Sequence, residues 1–271
     1  MASKLFNTVI RLVEQGRLPE TRKWFWKQTY NLLSRVWSDK DWAFMNYGYM
    51  PDVPFPLDTE DEPDRAFIGL YQQAVDGLDL NEKTVVEVGS GRGGGSSYIA
   101  RYFKPASMTG LDYSPATVKR ARKVIPPHPA LAFDVGDAEA LPLADESVDI
   151  IVNIESSHCY SNLPKFFSEV ERVLKPGGVF TWADIRASSM MESLENQFAE
   201  TGLVDVRRME LTPGVIKALD AMSERKKARI GRIPLISKFL MEFAATENTK
   251  LYKGFRNGKV RYLARRFQKP E

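Results

Sequence analysis

From about Asp64 to Asp184 the chain alternates short apolar runs with longer segments of helical spacing. Arg65 to Asp76 has the apolar periodicity of a helix. Thr84 to Val88 is a short β-branched run that ends in Gly89, Gly91, Gly93, Gly94 and Gly95. This predicts a strand, a tight turn and the start of a helix over 96–103. Further strands are predicted over 107–112, 131–135 and 148–154. The last is continuously apolar apart from Asp149 and Asn153, as suits a strand buried on both faces. Between them, Ser114 caps a helix opened by Pro115 that runs to about Val124, where Pro126, Pro127 and Pro129 end it. A helix over 163–174 stops at Lys175-Pro176-Gly177-Gly178, and a fifth strand follows over 179–184.

Past this region the pattern predicts a helix over 190–201, a strand over 203–211 and a basic helical stretch from Pro213 to about Thr246. A turn at Asn257-Gly258 leads into a final strand over 259–268, with Val260, Tyr262 and Ala264 on one face. Seven strands separated mostly by helices predict an α/β fold: a doubly wound, mostly parallel seven-stranded sheet with helices on both faces. The expected division is an aromatic N-terminal helical lid and linker (1–63), a core (64–211), a helical insertion over the substrate (212–256) and a final core strand (257–271).

The first sixty residues hold Trp24, Phe25, Trp26, Tyr30, Trp37, Trp42, Phe44, Tyr47 and Tyr49. Such rings either pack helices on the core or line a small-molecule pocket. Trp42, Tyr47 and Tyr49 are expected in a lid that excludes water from the site. Residues 51–64, with four prolines and five acids between Asp58 and Asp64, read as an extended linker.

Composition changes this picture little. At 271 residues and 43% apolar, the chain suits one large domain or one domain with insertions. No apolar run approaches the length of a transmembrane helix, and the N-terminus lacks the compact apolar block of a secretory signal. The single cysteine, Cys159, excludes an internal disulfide, fits a reducing cytoplasmic setting and reads as a small buried residue. A formal charge of +3 gives no argument for nucleic acid. The basic clusters at 225–229 and 265–266 read as solvated surface. Membrane-surface docking through Trp24, Trp26 and the basic helix is a less favoured reading. The oligomeric state stays open, with a homodimer as one option.

The candidate chemistry gathers at strand ends, where ligands of doubly wound sheets bind. Gly89-x-Gly91-x-x-Gly94 satisfies the dinucleotide fingerprint but is weak alone. Asp112 ends the second strand, where it can accept hydrogen bonds from the ribose of an NAD-type or an adenosyl cofactor. Glu87 before the first glycine, and Gly136-Asp137-Ala138-Glu139-Ala140-Leu141-Pro142 leading to the Asp145–Val152 stretch, shift the balance. Over about 83–185 these segments resemble the class I S-adenosylmethionine-dependent methyltransferases of the ubiquinone/menaquinone-biosynthesis type, whose fold is Rossmann-like. A narrower resemblance rests on Asn46-Tyr47-Gly48-Tyr49, the Asp61–Ala66 stretch, Gly93 to Tyr98 and Glu155-Ser156-Ser157-His158-Cys159-Tyr160. These are similar to the phthiotriolone/phenolphthiotriolone dimycocerosates methyltransferases of mycobacteria, which O-methylate a hydroxyl on a long lipid.

That resemblance implies S-adenosylmethionine as cofactor, S-adenosylhomocysteine as product and no metal. It implies cofactor contacts from Glu87, Gly89, Ser90 and Gly91, at the methionine part. Asp112 would bind the ribose, Tyr113 would flank the adenine, Asp137 and Ala138 would meet the adenine edge, and Asn153 would face the methionine end. His158, just beyond the fourth strand, suits a general base toward a hydroxyl, with Glu155 as the residue that orients it. The expected reaction is O-methylation of a small, largely apolar or aromatic specialised metabolite. The alternatives are N- or C-methylation of a small molecule, lipid or quinone, a nicotinamide-dependent oxidoreductase, and a non-enzymatic cofactor binder. The oxidoreductase lacks a Tyr-x-x-x-Lys pair, and Glu87 would place negative charge beside its pyrophosphate.

Overall fold

A computed structural model describes residues 43–231, 240–242 and 244–271. The expected N-terminal helices, with Trp42, lie outside the described residues, as do Trp24 and Trp26. The apolar runs become a seven-stranded sheet. In chain order the elements are α1 (Arg65–Val75), β1 (Thr84–Val88), α2 (Gly94–Phe103), β2 (Ser107–Asp112), α3 (Pro115–Val124), β3 (Leu131–Val135) and β4 (Val148–Ile154). Then come α4 (Leu163–Val173), β5 (Leu174–Ala187), α5 (Met191–Ala199), β6 (Val204–Glu210), α6 (Thr212–Ile230), α7 (Lys250–Arg256) and β7 (Val260–Gln268). The sheet order is β3-β2-β1-β4-β5-β7-β6. β1 to β5 pair in parallel. β7 runs antiparallel between β5 and β6, so the last strand to be made sits inside the sheet and not at its edge.

Strand alternation splits the core into two layers. Val85, Ile150, Val152 and Ile154 pack with α1, α2 and α6 through Ile68, Ile99 and Leu219. Val86, Val88 and Ile151 face the other way, against Phe166 and Phe167 of α4 and Phe198 of α5. There the Phe167 and Phe198 rings stack at 4.7 Å, and Trp182 meets Phe198 edge-on at 5.3 Å. This double burial is why β4 reads as an unbroken apolar run.

Three boundaries differ from the sequence expectation. β5 begins at Leu174, across the Pro-Gly-Gly segment, because Leu174 pairs with Val148 before a register shift. Gly177 N–H donates to Lys269, and Lys269 N–H donates back to Gly178. α2 starts at Gly94, so the glycines supply its first turn. The basic stretch forms α6 to Ile230, and α7 follows at Lys250, inside the expected helical insertion but beyond the stretch to Thr246 that the pattern marked. Its signal is Thr249, whose side chain caps the Tyr252 N–H.

The glycine turn is shaped by two demands. Gly89, Gly91 and Gly93 have φ of 80°, 54° and 86°, in the left-handed region that glycine tolerates. Gly95 answers a steric demand instead, because a Cβ there would lie 1.9 Å from the Tyr71 ring. Gly95→Ala is expected to destabilise the protein by about 1–3 kcal/mol through overpacking. Urea unfolding checks this, and an unchanged midpoint would contradict the close approach.

Candidate active site

The strand order reverses between β1 and β4, and a cavity opens at the carboxyl ends of the strands around that point, as the topology dictates. It holds about 1000 Å³ of space including its solvent mouth. Gly89, Ser90 and Gly91 form its floor, and Asp112, Tyr113, Asp137 and Ala138 line one side. Glu155, Ser156, Cys159 and Tyr160 line the other. Residues 43–46 close it from above, tied to the floor by Gly94 N–H, which donates to Ala43.

The floor is fixed by hydrogen bonds. Gly89 and Ser90 N–H both donate to the Leu111 carbonyl, at 2.8 and 2.9 Å. Asp112 accepts from Gly91 N–H at 3.0 Å on one carboxylate oxygen and from Ser114 N–H at 2.9 Å on the other. Burial pushes its carboxyl up to about 6 against those two amides. Each oxygen keeps a lone pair for a further donor. The Ser90 hydroxyl is buried without a hydrogen-bond partner among the described residues. A carboxylate with spare lone pairs and an orphaned hydroxyl in one cavity fit a ligand rich in hydroxyl and amine groups.

A methyltransferase-domain family model matches residues 86–182. The chain is 36% identical over 263 residues to a phthiotriol/phenolphthiotriol dimycocerosates methyltransferase of Mycobacterium tuberculosis, covering 95% of this chain and 96% of that one. It is 33% identical to a fatty-acid O-methyltransferase of Mycolicibacterium smegmatis, over 90% of this chain and 89% of the relative. Among solved structures, the cyclase SpnF superposes with a TM-score of 0.70 at 18% identity, covering 90% of this chain and 94% of that one. That last likeness speaks for the fold alone.

The chain belongs to the class I S-adenosylmethionine-dependent methyltransferases.

The nicotinamide and non-enzymatic alternatives are thereby set aside, and S-adenosylmethionine is the methyltransferase's cofactor. When bound, it supplies a methyl group made electrophilic by a sulfonium. Gly89, Ser90, Gly91, Asp112, Tyr113, Asp137 and Ala138 stand in the cavity wall where the resemblance places cofactor contacts.

Other expected site residues are placed differently. Glu87 has no exposed surface and lies beneath the floor. It accepts from the Tyr71 hydroxyl at 2.9 Å and from the Ser96 hydroxyl. It braces the turn from behind because α1 and α2 both deliver a donor to it. Asn153 is also fully buried. Its amide nitrogen lies 2.8 Å from Val88 O, 2.8 Å from Ser156 Oγ and 2.9 Å from Tyr160 OH. It holds the far wall to β1 instead of facing the cavity. Tyr47 and Tyr49 are not the lid surface. Tyr47 is core, edge-on to Phe255 at 5.9 Å. Tyr49 packs at the start of α6, where its ring closes on Gly214. Their segment reaches the cavity through Ala43, Phe44, Met45 and Asn46. Cys159 is half-buried in the wall, not a core residue.

The residue that orients His158 is Asp184, not Glu155. Asp184 Oδ1 lies 2.7 Å from His158 Nδ1, and Oδ2 accepts from His158 N–H at 2.8 Å and from the Ser157 hydroxyl at 2.6 Å. Arg186 adds an ion pair at 3.1 Å. Burial opposes the charge on Asp184, but His158 and Arg186 outweigh it and hold the carboxyl well below the usual range. Burial likewise opposes protonation of His158, and the neighbouring Cys159 and Asp184 overcome it, so its pKa is raised well above the usual value. Glu155 is engaged elsewhere, by Tyr47 N–H at 2.9 Å and the Tyr262 hydroxyl at 3.0 Å. The sequence signal for Asp184 was only that it ends a strand. Its partnership with His158 follows from the β4–β5 register, in which Ala183 sits opposite Ile154.

Two expectations follow. Asp112→Ala should weaken S-adenosylhomocysteine binding by about 2–4 kcal/mol through loss of charge-assisted hydrogen bonds. Titration calorimetry that finds the same Kd in both proteins would refute this. Burial raises the Glu87 carboxyl from the usual 4.5 to about 7 despite the Ser96 and Tyr71 hydrogen bonds. The folded state therefore binds this proton more tightly than the unfolded chain does. The associated stability is full below pH 4.5 and is lost as pH rises through 7. The protein should melt at a lower temperature at pH 8 than at pH 5, and Glu87→Gln should shrink that drop. Asp112, raised in the same sense, leaves part of it. Equal drops in thermal melts would exclude Glu87 as a contributor.

Proposed function

We propose that this methyltransferase transfers the methyl group to a hydroxyl of a largely apolar, lipid-like small molecule, with His158 taking the hydroxyl proton. The observation that carries this reading is the His158–Asp184 pair. Asp184 holds Nδ1, which fixes the tautomer and makes Nε2 the atom that would take a proton. Ser156 and Cys159 on either side of His158 line the cavity; the His158 side chain, 19% exposed, is not itself among the lining residues. The floor around Asp112 would hold the S-adenosylmethionine that supplies the methyl group to the acceptor oxygen, and His158 Nε2 would take the hydroxyl proton. An amine acceptor needs such a base less than a hydroxyl does.

The apolar part of the acceptor finds Phe44, Met45, Val88 and Ile154 in the walls. The relatives named above, one acting on a fatty acid and one on a dimycocerosate lipid, support a lipid-like acceptor. Asn153, bracing Ser156 and Tyr160 against β1, keeps that wall in register with the floor.

His158→Ala should keep S-adenosylhomocysteine affinity and lower turnover by about 10²–10⁴-fold, the usual contribution of a positioned base. The pH profile tests the mechanism further. Only the neutral imidazole accepts a proton, and Asp184 raises its pKa. Activity should therefore climb with pH through and above neutrality. Asp184→Asn should move that climb to lower pH and reduce its plateau. A profile unmoved by Asp184→Asn would remove His158 as the base.

A further inference from the structure

Glu155 is a charged group in the cavity wall that the proposed proton transfer does not use. β4 ends at Ile154, and Glu155 turns the chain with φ of 50°, a left-handed conformation that a non-glycine residue seldom adopts. Three separate elements hold it there. Its N–H donates to Ala183 of β5 at 2.7 Å, and its side chain accepts from Tyr47 and from Tyr262 of β7. Both side-chain bonds fall on the same oxygen, Oε2. Oε1 takes no hydrogen bond among the described residues, although Glu155 lines the cavity. Burial pushes the carboxyl up to about 8, against the Tyr47 amide and His158. Lys226, itself buried, stands with its Nζ 5.9 Å from the Tyr47 ring.

Glu155 is a half-buried carboxyl in the cavity wall with two protein donors on one oxygen and none on the other, so it can still take a donor from a ligand. Asp112, Asp137 and the glycine floor lie across the cavity. Glu155 shares its wall with the segment that carries His158. The donor is then on the acceptor and lies near the hydroxyl that reacts. Resting on the O-methyl transfer proposed above, we propose that Glu155 Oε1 is a specificity subsite for a second hydrogen-bond donor on the acceptor. The acceptor class is a chain bearing two neighbouring hydroxyls, in preference to one bearing a single hydroxyl.

Glu155→Gln is a sharp probe, because Tyr47 N–H and Tyr262 O–H require an acceptor. The glutamine carbonyl takes their place on Oε2, and its NH₂ group turns to the cavity, which converts the subsite from acceptor to donor. The experiment measures binding of 1-dodecanol, dodecane-1,2-diol and dodecane-1,3-diol to the S-adenosylhomocysteine-loaded protein, and methyl transfer to each. The expected result, at a pH above the raised Glu155 pKa of about 8, is that wild type binds one of the diols about ten- to a hundredfold more tightly than the mono-alcohol, the worth of one charge-assisted hydrogen bond. Glu155→Gln loses that preference and keeps its affinity for S-adenosylhomocysteine. Equal binding of diols and mono-alcohol by wild type overturns the subsite and needs no variant to fold. Loss of S-adenosylhomocysteine affinity in a folded Glu155→Gln also overturns it, by assigning Oε1 to the cofactor. Equal methylation of all three alcohols sinks the subsite but leaves the O-methyl transfer standing. Methylation of dodecylamine with none of any alcohol removes the transfer reading itself.

Discussion

The Glu87 carboxylate is the constraint on which the cofactor floor depends. It ends β1 with no access to solvent and collects one hydroxyl from α1, through Tyr71, and one from α2, through Ser96. A buried carboxylate without those donors would be strongly unfavourable. The two helices are thereby committed to one spot beneath the glycine turn. Gly95 lets the Tyr71 ring come that close, and the Leu111 carbonyl pulls the turn onto β2 from the other side. Asp112 then inherits its place, since β2 is in register with β1 from Ser107 to Leu111. The floor is a consequence of burial first and of ligand chemistry second.

The opposite wall is governed by a second buried carboxylate, with the opposite outcome. Asp184 stays ionised because His158, Arg186, Ser157 and backbone amides surround it. Glu87, held by neutral hydroxyls alone, drifts toward protonation. Two carboxylates on strands either side of β4 therefore differ because of their partners: one braces a turn, and the other charges an imidazole. Glu155 stands between them, with donors on one oxygen only.

Much of the fold was legible in the sequence because strands buried on both faces leave continuous apolar runs, as at Val148 to Ile154. The glycine turn and Ser114-Pro115 were equally plain, each being a local demand on the backbone. Contacts that arise only from sheet order were less legible. Asp184 reads as one more strand-end acid until β5 is laid beside β4, and Tyr262 reaches Glu155 only because β7 inserts antiparallel beside β5. Glu87 was placed at the ligand because its motif suggests it, whereas burial puts it one layer deeper. Two of the expected lid rings are placed elsewhere for a related reason. Tyr47 goes to the core and Tyr49 packs half-buried against it, and residues 43–46 meet the cavity instead.

One cavity is proposed to join a cofactor floor around Asp112 to the segment that carries the His158–Asp184 pair. A crystal structure with S-adenosylhomocysteine bound tests it most directly. The account predicts the ribose hydroxyls on Asp112 and the thioether sulfur turned toward the wall of Glu155 and Ser156, with room for an acceptor oxygen within hydrogen-bond reach of His158 Nε2. A thioether pointing to the solvent mouth, or His158 Nε2 sealed from the cavity by protein, would contradict it.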